Sequence, residues 1–322
     1  MIYHIIIDIE NINIFFIQYF LLKESLIMKK ILFKGCGTAI VTPFTQEGVN
    51  FEEFKKLLET QIAEQVDAII VCGTTGEAST MTEQEKKDTI SFAVKTVAGR
   101  VPVIAGTGGN NTSSAIAMTK WAETIGVDGV LIVTPYYNKT TQAGLIEHYK
   151  AIAKETSLPI ILYNVPGRTG LNITPETCLE LSKIENIVAI KEASGNISQV
   201  AKIAQLCKDN LHIYSGNDDQ ILPILSLGGL GVISVLSNIL PRHTHNMVNL
   251  YLEGKIKEAT NLQLETLPLI NALFCEVNPI PVKAALNMLG YNFGTPRLPL
   301  VEMSASGKEK LKSEMTKYGL LK

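Results

Sequence analysis

The stretch NIVAIKEASGN, residues 186–196, sets a lysine at the end of an apolar run. Ile187, Val188, Ala189 and Ile190 suit a β-strand covered on both faces, and Lys191 follows without a break. An amine held among strand ends loses hydration, which disfavours its charged form. A neutral amine can attack a carbonyl and form a Schiff base, and making that imine needs proton traffic that tyrosine and threonine hydroxyls can relay. Residues of those types end other apolar runs: Thr74 and Thr75 in GTTGE (73–77), Tyr136 and Tyr137 in TPYYN (134–138), and Tyr163 before Asn164. A lysine here could instead pair with Glu192 or another acid. The company of Tyr163, Tyr137 and Thr74 favours the chemical role.

Something must hold those ends together. Eight short apolar runs recur from Gly35 onward, at 35–42, 67–73, 101–106, 128–134, 158–163, 187–192, 211–216 and 230–235. The segments between them carry helix signals. Phe51, Phe54, Leu58 and Ile62 share one helical face, TEQE (82–85) is a capping box, and TPE (174–176) offers a threonine cap with proline in the first turn. Strands alternating with helices eight times predict an α/β fold, a closed (β/α)8 TIM barrel with chemistry at the C-terminal strand ends. An open doubly wound sheet is the rival, but no G-x-G-x-x-G follows an early strand. Beyond Pro241 the rhythm stops, and residues 245–274, 281–290 and 306–321 read as three helices. The chain therefore divides into an extension (1–27), a catalytic barrel (28–254) and a C-terminal helical region (255–322), expected to dock on the barrel.

Composition excludes other classes. The chain has 322 residues, 46% of them hydrophobic, with a formal net charge of -2 and no clustered basic stripe, so nucleic acid is not an expected partner. Its 5 cysteines are scattered without C-x-x-C, as small core residues of a reducing compartment would be. The five histidines assemble no metal set, since only His243 and His245 lie close, and no metal is expected. GTGGNN (106–111) lacks the GK[ST] ending of a phosphate loop, and LGGLG (227–231) reads as a tight turn. No G-x-S-x-G elbow occurs. Residues 1–27 have neither the cationic start of a signal peptide nor the unbroken apolar length of a membrane span. Met28-Lys29-Lys30 looks like a more natural start, with the preceding residues non-native or disordered.

Four motifs, GTTGE, TPYYN, YNVPGRTG (163–170) and KEASGN (191–196), resemble in order and spacing those of the dihydrodipicolinate synthase family, within the pyruvate-dependent class I aldolases. The similarity runs from Met28 to Lys322. It implies condensation of pyruvate with L-aspartate 4-semialdehyde on the way to diaminopimelate and lysine, without an external cofactor. By position, Lys191 would form the pyruvate imine, and Tyr163 would donate and accept protons beside it. Thr74 and Tyr137 would complete a hydroxyl relay, Tyr137 reaching in from a neighbouring subunit. Thr75 would hold the pyruvate carboxylate, and Gly216 and Ile233 would line its pocket through their main chain. Arg168 would meet the carboxylate of the semialdehyde, a task suited to a planar fork of donors, although an ion pair within its own loop is the other reading.

The same resemblance implies a cytoplasmic homotetramer, a dimer of dimers, with no membrane partner. Asn110 and Tyr136 match an effector pocket for lysine. Relatives inhibited by lysine usually carry histidines where this chain has Glu83 and Lys86, and a glutamate where it has Ser114, so feedback is expected to be weak or absent. Two other functions stay open at this point. One is a pyruvate-dependent lyase for N-acetylneuraminate or a 2-keto-3-deoxy sugar acid, whose members generally lack the arginine of PGRTG. The other is a barrel that binds a metabolite without catalysis.

Overall fold

The structure, a computed structural model, describes residues 29–322, so the expected extension at 1–27 lies outside the described residues. Among them, eight parallel strands pair in sequence order and close into a barrel, the architecture expected. They are β1 Gly35–Ala39, β2 Ala68–Val71, β3 Val103–Gly106, β4 Gly129–Val133, β5 Ile160–Asn164, β6 Ile187–Glu192, β7 His212–Ser215 and β8 Gly231–Ser234. β3 and β5 begin later than their apolar runs because Pro102 and Pro159 have no N–H for the ladder.

Alternation along the strands separates two cores. Ala39, Ile70, Ile104, Leu131, Ile161 and Ile233 fill the barrel, whereas Ile69, Ile132, Leu162 and Ile190 pack outward under the helices. Leu32 and Phe33, just ahead of β1, join the inner cluster, so the N-terminal end of the barrel is filled with apolar side chains. Four of the cysteines are buried as expected, but Cys275 is exposed.

The capping signals hold. Thr82 and Glu85 form the capping box of the helix Glu83–Val97, and Thr174 caps Pro175–Leu181 with Pro175 in the first turn. One expectation fails. The segment 245–274 is not a single helix but the end of Pro241–Leu252 and the whole of Ile256–Leu273. Gly254 breaks it in the left-handed region at φ +81, with the Lys255 N–H donating to the Leu250 carbonyl at 2.8 Å. Polar periodicity continues across the break, so glycine was its single local sign. Pro241–Leu252 follows β8 directly, and Ile280–Met288 and Ala305–Lys317 complete the C-terminal region.

That region shares the outer core through Leu269, Leu273, Val282, Leu286, Leu311 and Met315. It is also tied electrostatically. Lys283 reaches Glu77, at the end of the β2 turn, at 2.6 Å, and Arg297 grips Glu85 through two hydrogen bonds of 2.7 and 3.0 Å. The Arg297 guanidinium pulls the Glu85 carboxyl down to about 2. A carboxyl held below its unfolded value near 4.5 stabilises the fold above that value and loses the contribution as pH falls toward about 2. Glu85→Gln keeps the capping geometry and removes the charge. It should cost about 1–2 kcal/mol in urea denaturation at pH 7, a gap that narrows steadily below pH ~4.5. An unchanging gap down to pH ~3 would contradict the pairing.

Candidate active site

The period of β6 decides which way Lys191 points. Ala189 lies in the inner core and Ile190 in the outer, so Lys191 turns inward and Glu192 outward. Glu192 is occupied there, accepting hydrogen bonds from the Asn164 amide, the Ser194 N–H and the Gln199 amide. The alternative pairing of Lys191 with Glu192 is thereby overturned, and no carboxylate among the described residues forms an ion pair with Lys191. Its amine is buried, with Nζ 4.4 Å from the centre of the Tyr163 ring. Tyr163 is its register partner on β5 and shares the inner core.

Gly216, just past β7, leaves room for the lysine stem. A Cβ there would stand 3.1 Å from Lys191 Cε and 2.6 Å from the Ala193 Cβ. Ile233 is fully buried on β8. Asp218 lies close by, a residue that sequence reasoning did not single out. It accepts hydrogen bonds from the Val235 and Leu236 N–H groups at 3.0 and 2.9 Å, while its Oδ1 has no partner among the described residues. Burial pushes its carboxyl up, and the charge of Lys191 is among the effects acting in the opposite direction.

The β2 turn brings in the threonines. Thr75 is buried and accepts a hydrogen bond from the Asn278 amide at 3.0 Å. Thr74 lines a cavity of about 480 Å³ together with Tyr163 and Arg168. Arg168 lies in the short helix Pro166–Thr169 and donates to the Asn278 carbonyl at 3.1 Å. The ion pair weighed for it does not form with any described residue. Cys72, in the same wall, is no nucleophile at neutral pH, because burial pushes its thiol up to about 12.

Lys191, Thr75 and Ile233 are buried and do not line that cavity, and neither does the half-buried Gly216. Glu83, Lys86, Asn110, Ser114 and Tyr136 line the same cavity, so the expected effector residues and the mouth share one space. Asn110 donates to the Tyr136 carbonyl at 3.3 Å, which joins the loops after β3 and β4.

Tyr137 is the exception. It does not join the others in the mouth of its own barrel but stands 91% exposed, turned outward by a left-handed backbone at φ +68. His243 and His245 face separate partners, the Tyr318 hydroxyl and Asp67.

Comparison with known proteins gives one answer throughout. The sequence profile of the Dihydrodipicolinate synthetase family matches residues 32–318. The 4-hydroxy-tetrahydrodipicolinate synthase 1 of Clostridium acetobutylicum is 62% identical over 291 residues, covering 90% of this chain and 99% of that protein. The dihydrodipicolinate synthase of Thermotoga maritima superposes with a TM-score of 0.89 at 43% identity, over 90% of this chain and 100% of that one. The enzyme of Cyanidioschyzon merolae, solved with lysine bound, does so at 0.88 and 43%, over 91% and 100%.

Proposed function

The chain belongs to the dihydrodipicolinate synthetase family, and on that premise we propose how its residues divide the work. Its activity is that of a 4-hydroxy-tetrahydrodipicolinate synthase, an aldolase-type lyase of diaminopimelate and lysine biosynthesis. The substrates of that family are pyruvate and L-aspartate 4-semialdehyde. Lys191 attacks C2 of pyruvate, and loss of water gives the imine. The imine acidifies the pyruvate methyl, and removal of its proton gives an enamine that attacks the aldehyde carbon. The amino group of the semialdehyde then displaces Lys191 from C2, which closes the ring and frees the amine.

Tyr163 carries the protons at the imine, and Thr74 passes them on toward Tyr137 of the partner subunit. Thr75 holds the pyruvate carboxylate, Gly216 and Ile233 shape its pocket, and Arg168 receives the carboxylate of the semialdehyde. The observation that carries this reading is the buried Lys191 amine, free of carboxylate partners among the described residues and 4.4 Å from the Tyr163 ring. The outward Tyr137 supports an assembly in which each subunit supplies its phenol to another, a homotetramer built as a dimer of dimers. A cytoplasmic location agrees with the free cysteines and with the absence, among the described residues, of a helix long and apolar enough to cross a membrane.

A steady-state assay of pyruvate with each aldehyde class tests the assignment of substrates. Rapid turnover is expected with L-aspartate 4-semialdehyde and none with N-acetylmannosamine or a sugar aldehyde; the reverse preference would contradict the role of Arg168. The same assay reads the effector response. Glu83 is already engaged by Lys87 at 2.6 Å, Lys86 adds positive charge and Ser114 adds none, so an incoming lysine finds little to hold its ammonium groups. Lysine at micromolar concentration should leave the rate unchanged, and strong inhibition there would overturn this.

A further inference from the structure

We propose that Asn278 is a positioning residue for pyruvate, its side-chain amide orienting the Thr75 hydroxyl so that the hydroxyl proton is directed at the substrate carboxylate. Asn278 comes from the C-terminal region, in the loop between Ile256–Leu273 and Ile280–Met288, 203 residues from the threonine it touches. It is 6% exposed. Its Nδ2 donates to Thr75 Oγ1 at 3.0 Å, its carbonyl accepts from Arg168 Nη2 at 3.1 Å, and its Oδ1 is buried with no partner among the described residues.

The direction of the first hydrogen bond matters. A hydroxyl has one proton to give and two lone pairs to receive on. With Nδ2 seated on one lone pair, and no acceptor for Thr75 Oγ1 among the described residues, the proton is left for an incoming anion. Turning the amide over would satisfy Oδ1 with that same proton and leave the anion without it. Either orientation leaves one atom of the amide unpartnered among the described residues, Oδ1 in the one seen and Nδ2 in the other, and only the one seen keeps Thr75 a donor. One loop thus touches both side chains assigned to substrate carboxylates, Thr75 through its side chain and Arg168 through its main chain.

The inference rests on the assignment of Thr75 to the pyruvate carboxylate, and the experiment separates the two. Asn278→Asp keeps the shape, removes the donor, draws the Thr75 proton to itself and adds like charge. It should raise KM for pyruvate about tenfold or more. KM for the semialdehyde should stay within about twofold, because the main-chain oxygen that holds Arg168 is retained, while the newly buried carboxylate should lower Tm. Asn278→Ala removes the donor without charge and should raise KM for pyruvate by a smaller factor, about threefold. Thr75→Val is the control and should raise it as well. If Thr75→Val raises KM for pyruvate and neither Asn278 variant does, the positioning role is overturned. If Thr75→Val itself leaves KM unmoved, the assignment of Thr75 fails and the inference with it. A fall in Tm and kcat with both KM values unmoved would make Asn278 a packing residue and overturn the proposal equally.

Discussion

Lys191→Ala should reduce kcat by a factor on the order of 10^4 or more, because no other amine among the described residues stands over the Tyr163 ring to take over the imine. Lys86 is an amine in the cavity lining, but it stands on the helix Glu83–Val97 and not on a strand end beside that ring. The variant should nevertheless fold at least as well as the parent. The amine it removes is buried without a carboxylate partner among the described residues, and such a group is held against its own desolvation. Lys191→Arg sharpens the result. It keeps a positive charge facing the Tyr163 ring, yet a guanidinium forms no imine with a keto acid, so it should be as inactive as alanine. Substantial activity in the arginine variant would show that Lys191 works through its charge alone.

The second large effect lies away from the chemistry. Lys283→Met should destabilise the protein by about 3–5 kcal/mol, read as a shift of the urea midpoint. The Lys283 ammonium lies 2.6 Å from Glu77, with the two side chains 1% and 0% exposed, and it also faces the Phe44 ring at 4.3 Å. Burial pulls its own pKa down, against the attraction of Glu77. Removing the cation leaves the Glu77 carboxylate uncompensated, its one remaining donor among the described residues being the Arg297 main-chain N–H at 2.9 Å. Glu77 holds a left-handed backbone directly after the Thr74–Thr75 turn, so the variant should lose activity along with stability. Lys283→Met combined with Glu77→Gln should recover most of the lost stability, since the double variant buries no net charge. A single variant costing less than about 1 kcal/mol would contradict the pairing.

These two residues mark the limits of what the chain discloses locally. The barrel was legible because each strand is a short run of Ile, Val, Leu and Ala, with the residue at its end chosen by chemistry rather than by packing. Lys191, Tyr163 and Thr74 were found that way, and Gly216 and Ile233 came with the family likeness. Glu77 closes the GTTGE motif, but nothing near it in the chain points to Lys283, 206 residues later. Asn278 was equally silent, since an asparagine before a proline in a helical region carries no local sign of a partner in the barrel. Tyr137 shows a different limit. A list of strand ends assumes that every side chain turns inward, and a single left-handed residue after β4 turns this one out. The break at Gly254 belongs with these, because helix periodicity runs across it undisturbed.

The claim on which the rest depends is that the buried Lys191 amine captures pyruvate. Incubating the full chain with pyruvate and borohydride, digesting it and sequencing the peptides by mass spectrometry reads that step directly. One reduced pyruvyl unit per chain, carried on Lys191 and absent from Lys191→Arg, is the expected result. An unmodified chain, or a pyruvyl unit on any other lysine, would contradict the account.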